Sequence, residues 1–183
     1  MGRSLQTRPG KTGEIASRLL RTGSRLPHQK KGRGKTMKKK VLFICVQNSA
    51  RSQIAAALLN KICGNYFEAD SAGLNPGSLN PLAVEALKES GIDISGNKTQ
   101  AVFDVWKSAG HIFTYVITVC SESEAQGCPI FPGVTTRLHW SFPDPGKFTG
   151  TYEERLEQTR GVIDQIRAQI DRFCEEHCTA TGR

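Results

Sequence analysis

The feature that most constrains this chain is the passage from Val41-Leu42-Phe43-Ile44, a short run that is apolar at every position, through a small polar loop into residues of helical period. Such a run is the mark of a strand buried on both faces, which occurs in parallel sheets covered by helices. Ile54, Ala55, Leu58, Leu59 and Ile62 then recur at the spacing of an amphipathic helix. Between the two lie Cys45, Val46, Gln47, Asn48, Ser49 and Ala50. At a strand-to-helix seam the backbone N–H groups of the loop and first helical turn have no partners within the helix. They converge on whatever anion fills the concavity.

Three side chains at this seam give the cradle a chemistry. A cysteine at a strand end is, taken alone, usually a small buried hydrophobe. Here Arg51 follows Cys45 by six residues and offers a planar fork of donors to two oxygens of a tetrahedral ion. Ser52 can hydrogen-bond the sulfur. The environment that holds an oxyanion also stabilises a thiolate, so Cys45 is expected to be a nucleophile and Val46 to Arg51 the substrate loop.

The rest of the chain repeats the alternation. Phe67 to Ala72 reads as a second strand, and Asn80-Pro81 as the cap and first residue of a helix that Gly91 stops. A helix is predicted from about Thr99 to Ser108, a strand from Tyr115 to Val119 that delivers Cys120, and a short strand over Arg137 to Trp140. The last helix opens with the capping box Thr151-Tyr-Glu-Glu154 and carries Leu156, Ile163, Ile166, Ile170 and Phe173 on one face. The expected fold is therefore α/β, a four-stranded parallel sheet flanked by helices. Its ligands should sit at the carboxyl ends of the strands, near Cys45, Cys120 and Asp144.

The net charge of +8 would suggest nucleic acid if it were spread over the domain. It is not. Residues 1–40 hold 13 of the 25 Lys and Arg but one of the 17 acids, which leaves 12 bases against 16 acids for the remainder. Residues 1–36 read as a disordered, dispensable basic leader, 37–178 as one catalytic domain and 179–183 as a disordered tail. No run nears the roughly 20 apolar residues that span a bilayer. Six cysteines without a secretory signal fit a reducing, cytoplasmic setting in which unpaired thiols are the default.

Motif by motif, the chain resembles the low-molecular-weight protein tyrosine phosphatase family, and within it the thioredoxin-coupled arsenate reductases. The matching segments are VLFICVQNSARSQ, Ser71 to Gly73, Asn80-Pro81, GIDIS from Gly91, VITVC ending at Cys120, CPIFPGV from Cys128 and HWSFPDP ending at Pro145. The resemblance implies that Asp144, otherwise an ordinary turn residue, is the general acid. It also implies that Cys45, Cys120 and Cys128 pass a disulfide outward to thioredoxin, with no bound cofactor, in a monomer. Cys120 and Cys128 bracket a polar segment suited to the rearrangement such a relay needs. Where the phosphatases carry tyrosines after the Asp-Pro pair, this chain has Gly146 and Lys147. Gln53 stands where they tend to have proline, which favours arsenate over phosphotyrosine. A phosphatase using Cys45, Arg51 and Asp144 is the rival enzyme, and an oxyanion or redox sensor the non-catalytic alternative.

Reductases of this branch hold a potassium ion beside the loop. This chain keeps Asn48 and Ser71 but has Ala56 and Gln100 where the resemblance implies acids, so weak or no potassium dependence is expected. Cys63 reads as structural. Cys174, His177 and Cys178 make a poor closed metal site near a helix end, so no metal is expected. His111 and His139 are assigned no role.

Overall fold

The computed structural model describes residues 37–108, 112–121 and 136–178. The leader, the tail, His111 and Cys128 lie outside the described residues. Four strands, β1 (Lys39–Cys45), β2 (Phe67–Gly73), β3 (Tyr115–Thr118) and β4 (Thr136–His139), form one sheet in the order β2-β1-β3-β4. All pairings are parallel, as expected from the alternation of strands and helices.

The uniformly apolar β1 is explained by its place between two packed faces. Val41, Phe43 and Cys45 point into the larger core with Ile54, Leu58 and Leu59 of α1 (Arg51–Cys63). Leu156, Ile163, Ile166, Ile170 and Phe173 of α4 (Tyr152–Cys178) fill the same core. Leu42 and Ile44 point the other way, onto Val102, Val105 and Trp106 of α3 (Val102–Ser108). Each large apolar side chain sealed this way contributes about 1.5–3 kcal/mol relative to exposure.

Local signals act where the sequence places them. Asn80 Oδ1 accepts from Leu82 N at 2.9 Å and Ala83 N at 3.4 Å to start α2 (Pro81–Glu89), and Gly91, at φ 73°, follows its end. The α4 capping box closes in both directions, Thr151 N to Glu154 Oε2 at 2.8 Å and Glu154 N to Thr151 Oγ1 at 3.3 Å. Two details depart from expectation. Helix α3 begins at Val102 rather than near Thr99, because Thr99 Oγ1 donates to Gly77 O and Gln100 N donates to Asn48 Oδ1, which commits these residues to the loop beside β1. In α1, Ile62 is 36% exposed, and Cys63 takes the inward place in the last turn.

Candidate active site

The loop after β1 is shaped by its carbonyl groups. Cys45, Val46, Gln47 and Ser49 each present a C=O that accepts from the segment after β2, namely from Leu74, Asn75, Gly77 and Asn80 N–H at 2.8–3.1 Å. With these carbonyls committed to the segment after β2, the loop is held in the form of a cradle whose amides can serve an anion. Asn48 sits at φ 54°, a left-handed conformation that asparagine tolerates better than most residues. Helix α1 has no side-chain cap at Ala50 and no acid in its first turn, so its positive end stays open to an anion.

Gly73 lets the two segments approach. A Cβ there would lie 2.7 Å from Asn48 N, 2.8 Å from Gln47 C and 2.9 Å from Val46 O, all backbone. The sequence placed Gly73 in a motif without a role, and only this contact shows why the position is small.

Cys45 is buried and held from two sides. Asn48 N donates to its Sγ at 3.1 Å, and Ser52 Oγ lies 3.0 Å away. Asn48 Nδ2 donates to the same Ser52 oxygen at 2.9 Å, so the serine's own hydrogen is free for the sulfur. Behind this layer Gln53, which the sequence marked only by contrast with proline, knits the wall together. Its Nε2 donates to Asn48 Oδ1 and Lys98 O, both at 3.2 Å, and its Oε1 accepts from Asn97 Nδ2 at 2.9 Å.

Arg51 is 3% exposed and reaches across to the loop after β4. Its Nη2 donates to Asp144 Oδ2 at 2.6 Å and its Nη1 to Phe142 O at 3.4 Å. The other carboxylate oxygen of Asp144 accepts from Gly146 N at 2.9 Å, capping the 3-10 turn Pro145–Lys147. One carboxylate thus fixes its own turn and meets the guanidinium of the oxyanion loop. His139, given no role from sequence, bonds Thr118 Oγ1 through Nδ1 at 2.7 Å.

Cys120 follows the end of β3, the strand beside β1, and is buried. Ile44 is level with Thr118, and Val119 N donates to Ile44 O at 2.8 Å, so Cys45 and Cys120 emerge from adjoining strand ends. Two of the remaining described cysteines correct the expectation of unpaired thiols, while Cys178 keeps to it. Cys63 and Cys174 form a disulfide that ties the end of α1 to α4, possible because the tertiary fold brings positions 111 residues apart together. The suspected cluster of Cys174, His177 and Cys178 is also recomposed. Cys63 joins Cys174 and Cys178, while the His177 ring lies tilted against Phe173 and Tyr115.

A cavity of about 450 Å³ opens behind the loop, lined by Gln53, Ala56, Asp70, Ser71 and Gln100 among others. This is where the resemblance implies potassium, and the residues do not fit it. The side-chain oxygen of Asn48 already accepts two N–H groups, Gln53 Nε2 at 3.2 Å and Gln100 N at 2.9 Å, the positions where the resemblance implies acids are the uncharged Ala56 and Gln100, and burial pushes the carboxyl group of Asp70, the acid in the lining, up toward its neutral form.

A parallel α/β sheet with a thiol in an anion loop at the end of its central strand, an arginine at the start of the next helix and a facing aspartate defines a phosphatase-type oxyanion site. The chain belongs to the low molecular weight phosphotyrosine protein phosphatase family, whose profile matches residues 40–179. A Bacillus licheniformis arsenate reductase is 41% identical over 138 residues, covering 75% of this chain and 96% of that protein. Among solved structures, an arsenate reductase in its phosphate-binding state superposes with a TM-score of 0.63 at 26% identity, covering 75% of this chain and 98% of the other. A thioredoxin-dependent arsenate reductase of Corynebacterium glutamicum is 34% identical with a TM-score of 0.52, over 74% of this chain and 63% of that one.

Proposed function

We propose that this protein is an arsenate reductase that uses Cys45 as nucleophile and thioredoxin as its reductant. The observation that carries the reading is the pairing, at adjoining strand ends, of a buried Cys45 held by Asn48 N–H and Ser52 with a second buried cysteine, Cys120. A hydrolytic phosphatase has no use for the second thiol. The relatives named arsenate reductase support the same substrate.

Arsenate binds among the loop amides and the Arg51 fork. The Cys45 thiolate attacks arsenic, and an As–O bond breaks as Asp144 supplies the proton with which that oxygen leaves as water. Cys120 then attacks Cys45 Sγ. The S–As pair of electrons passes to arsenic, which leaves as arsenite, two electrons more reduced, while the two thiols become a disulfide. Cys128 attacks Cys120, the disulfide moves to Cys120-Cys128, and Cys45 is freed. A thioredoxin dithiol reduces the outer disulfide. Cys120 must leave its buried position for this exchange, a local rearrangement at the end of β3.

The experiment is turnover of arsenate with thioredoxin, thioredoxin reductase and NADPH. Sustained NADPH oxidation that needs arsenate and Cys45 is expected. Absence of turnover alongside rapid hydrolysis of an aryl phosphate would assign the site to phosphoryl transfer, for which Cys45, Arg51 and Asp144 suffice.

A further inference from the structure

The Sγ atoms of Cys63, Cys174 and Cys178 lie within 4.8 Å of one another, on the side of the core where α1 ends. Cys174 and Cys178 are four residues apart on α4 and so share a face, and Cys63 is the last residue of α1. Cys63 and Cys174 are bonded, and Cys178 Sγ stands 3.8 Å from Cys63 Sγ. The mechanism above uses none of the three.

We propose that, once the Cys63–Cys174 disulfide is reduced, these three thiols form a binding site for trivalent arsenic. The ligand set argues for this class of ion. Among the described residues no fourth Cys, His, Asp or Glu joins the group, and a structural zinc ion asks for four protein ligands. Trivalent arsenic takes three sulfurs and keeps a lone pair in the fourth direction. Charge argues the same way. Cys63 and Cys174 are buried and Cys178 is half-buried. Zinc would leave a net negative tris-thiolate there, which such surroundings disfavour. Arsenous acid is neutral and gives a neutral product.

The chemistry balances without an external oxidant. A dithiol first reduces the disulfide by exchange and is itself oxidised to a disulfide, or a phosphine gives it two electrons while water supplies the two protons and the oxygen of the phosphine oxide. Arsenous acid then exchanges its three As–O bonds for three As–S bonds, each thiol proton leaving with a hydroxide as water, and arsenic stays trivalent throughout. The choice of arsenic among trivalent thiophiles rests on the reductase reading, since arsenite is its product. The three-sulfur geometry does not. Bound there, arsenic would clamp the far end of α1, the helix whose near end holds Arg51.

The test uses the full chain with Cys45, Cys120 and Cys128 replaced by serine, reduced with a phosphine and titrated with arsenite. One arsenic per chain with three sulfur neighbours by X-ray absorption is expected. Adding Cys178→Ser, at a half-buried helix end outside the disulfide, should lower the count to two and weaken binding by about tenfold or more. In the unsubstituted reduced chain, arsenite should protect Cys63, Cys174 and Cys178 from alkylation in peptide mapping. No retained arsenic, binding indifferent to Cys178→Ser, or displacement of arsenic by equimolar zinc would overturn the proposal. Because arsenite is added directly, failure here leaves arsenate reduction at Cys45 untouched, and failure of that reaction leaves this result standing.

Discussion

Arg51 Nη2 lies 2.6 Å from Asp144 Oδ2, a charge pair between residues 93 positions apart in the chain. The guanidinium that would grip an oxyanion is thus engaged by the carboxylate that would protonate its leaving group. An anion entering the loop would compete with Asp144 for Arg51. On the mechanism proposed above, substrate binding would therefore release the carboxyl group of Asp144 toward the substrate.

Asp144→Asn should therefore separate binding from chemistry. With its competitor neutralised, Arg51 should bind phosphate several-fold more tightly by calorimetry, while arsenate turnover falls by about 10²–10⁴-fold, the usual worth of a positioned acid. The variant also takes the Asp144 charge from a guanidinium with a side-chain exposure of 4%, so its melting temperature should drop and recover with phosphate. Unchanged phosphate affinity would mean that the pair plays no part in binding.

Gly73→Ala tests the loop from behind. The three atoms nearest the new methyl would all be backbone of residues 46–48, so the loop itself has to move. A loss of about 1–3 kcal/mol in stability is expected, of the size seen for overpacking. Phosphate affinity should fall with it, and denaturant unfolding with and without phosphate reads both quantities. A variant with normal affinity would show that the loop tolerates displacement.

The thiols divide the two enzyme readings. Cys120→Ser should stall arsenate reduction at the Cys45 adduct, and Cys128→Ser should release about one arsenite per enzyme and trap a Cys45-Cys120 disulfide. Both should hydrolyse a small aryl phosphate nearly as the parent does. Peptide mapping and single-turnover arsenite release check this, and multiple turnover by Cys128→Ser on thioredoxin alone would remove Cys128 from the relay.

Exchange of potassium for sodium at constant ionic strength should change arsenate kcat/KM by less than about twofold. The reason is the side-chain oxygen of Asn48, already bonded to Gln53 and Gln100 beside the uncharged Ala56. A strong potassium activation would show that the amide network opens to admit the ion.

Much of this was legible in the chain because the information is local. The apolar run of β1, the helical period after Ser52, the Asn80 cap and the Thr151 capping box each bias a short segment whatever surrounds it, and together they dictate a parallel α/β sheet. The spacing of Cys45, Arg51 and Ser52 is local too, because one loop and one helical turn set it. What sequence could not supply is whatever depends on distant segments meeting. Gly73 is small because Asn48 lies against it, α3 starts late because Gln100 is held by Asn48, and Cys63 is paired because α4 returns Cys174 to the end of α1. Those meetings depend on strand order and on the packing of helices over the sheet. No periodicity in the chain encodes them, so only the tertiary structure decided which of the described cysteines stand together.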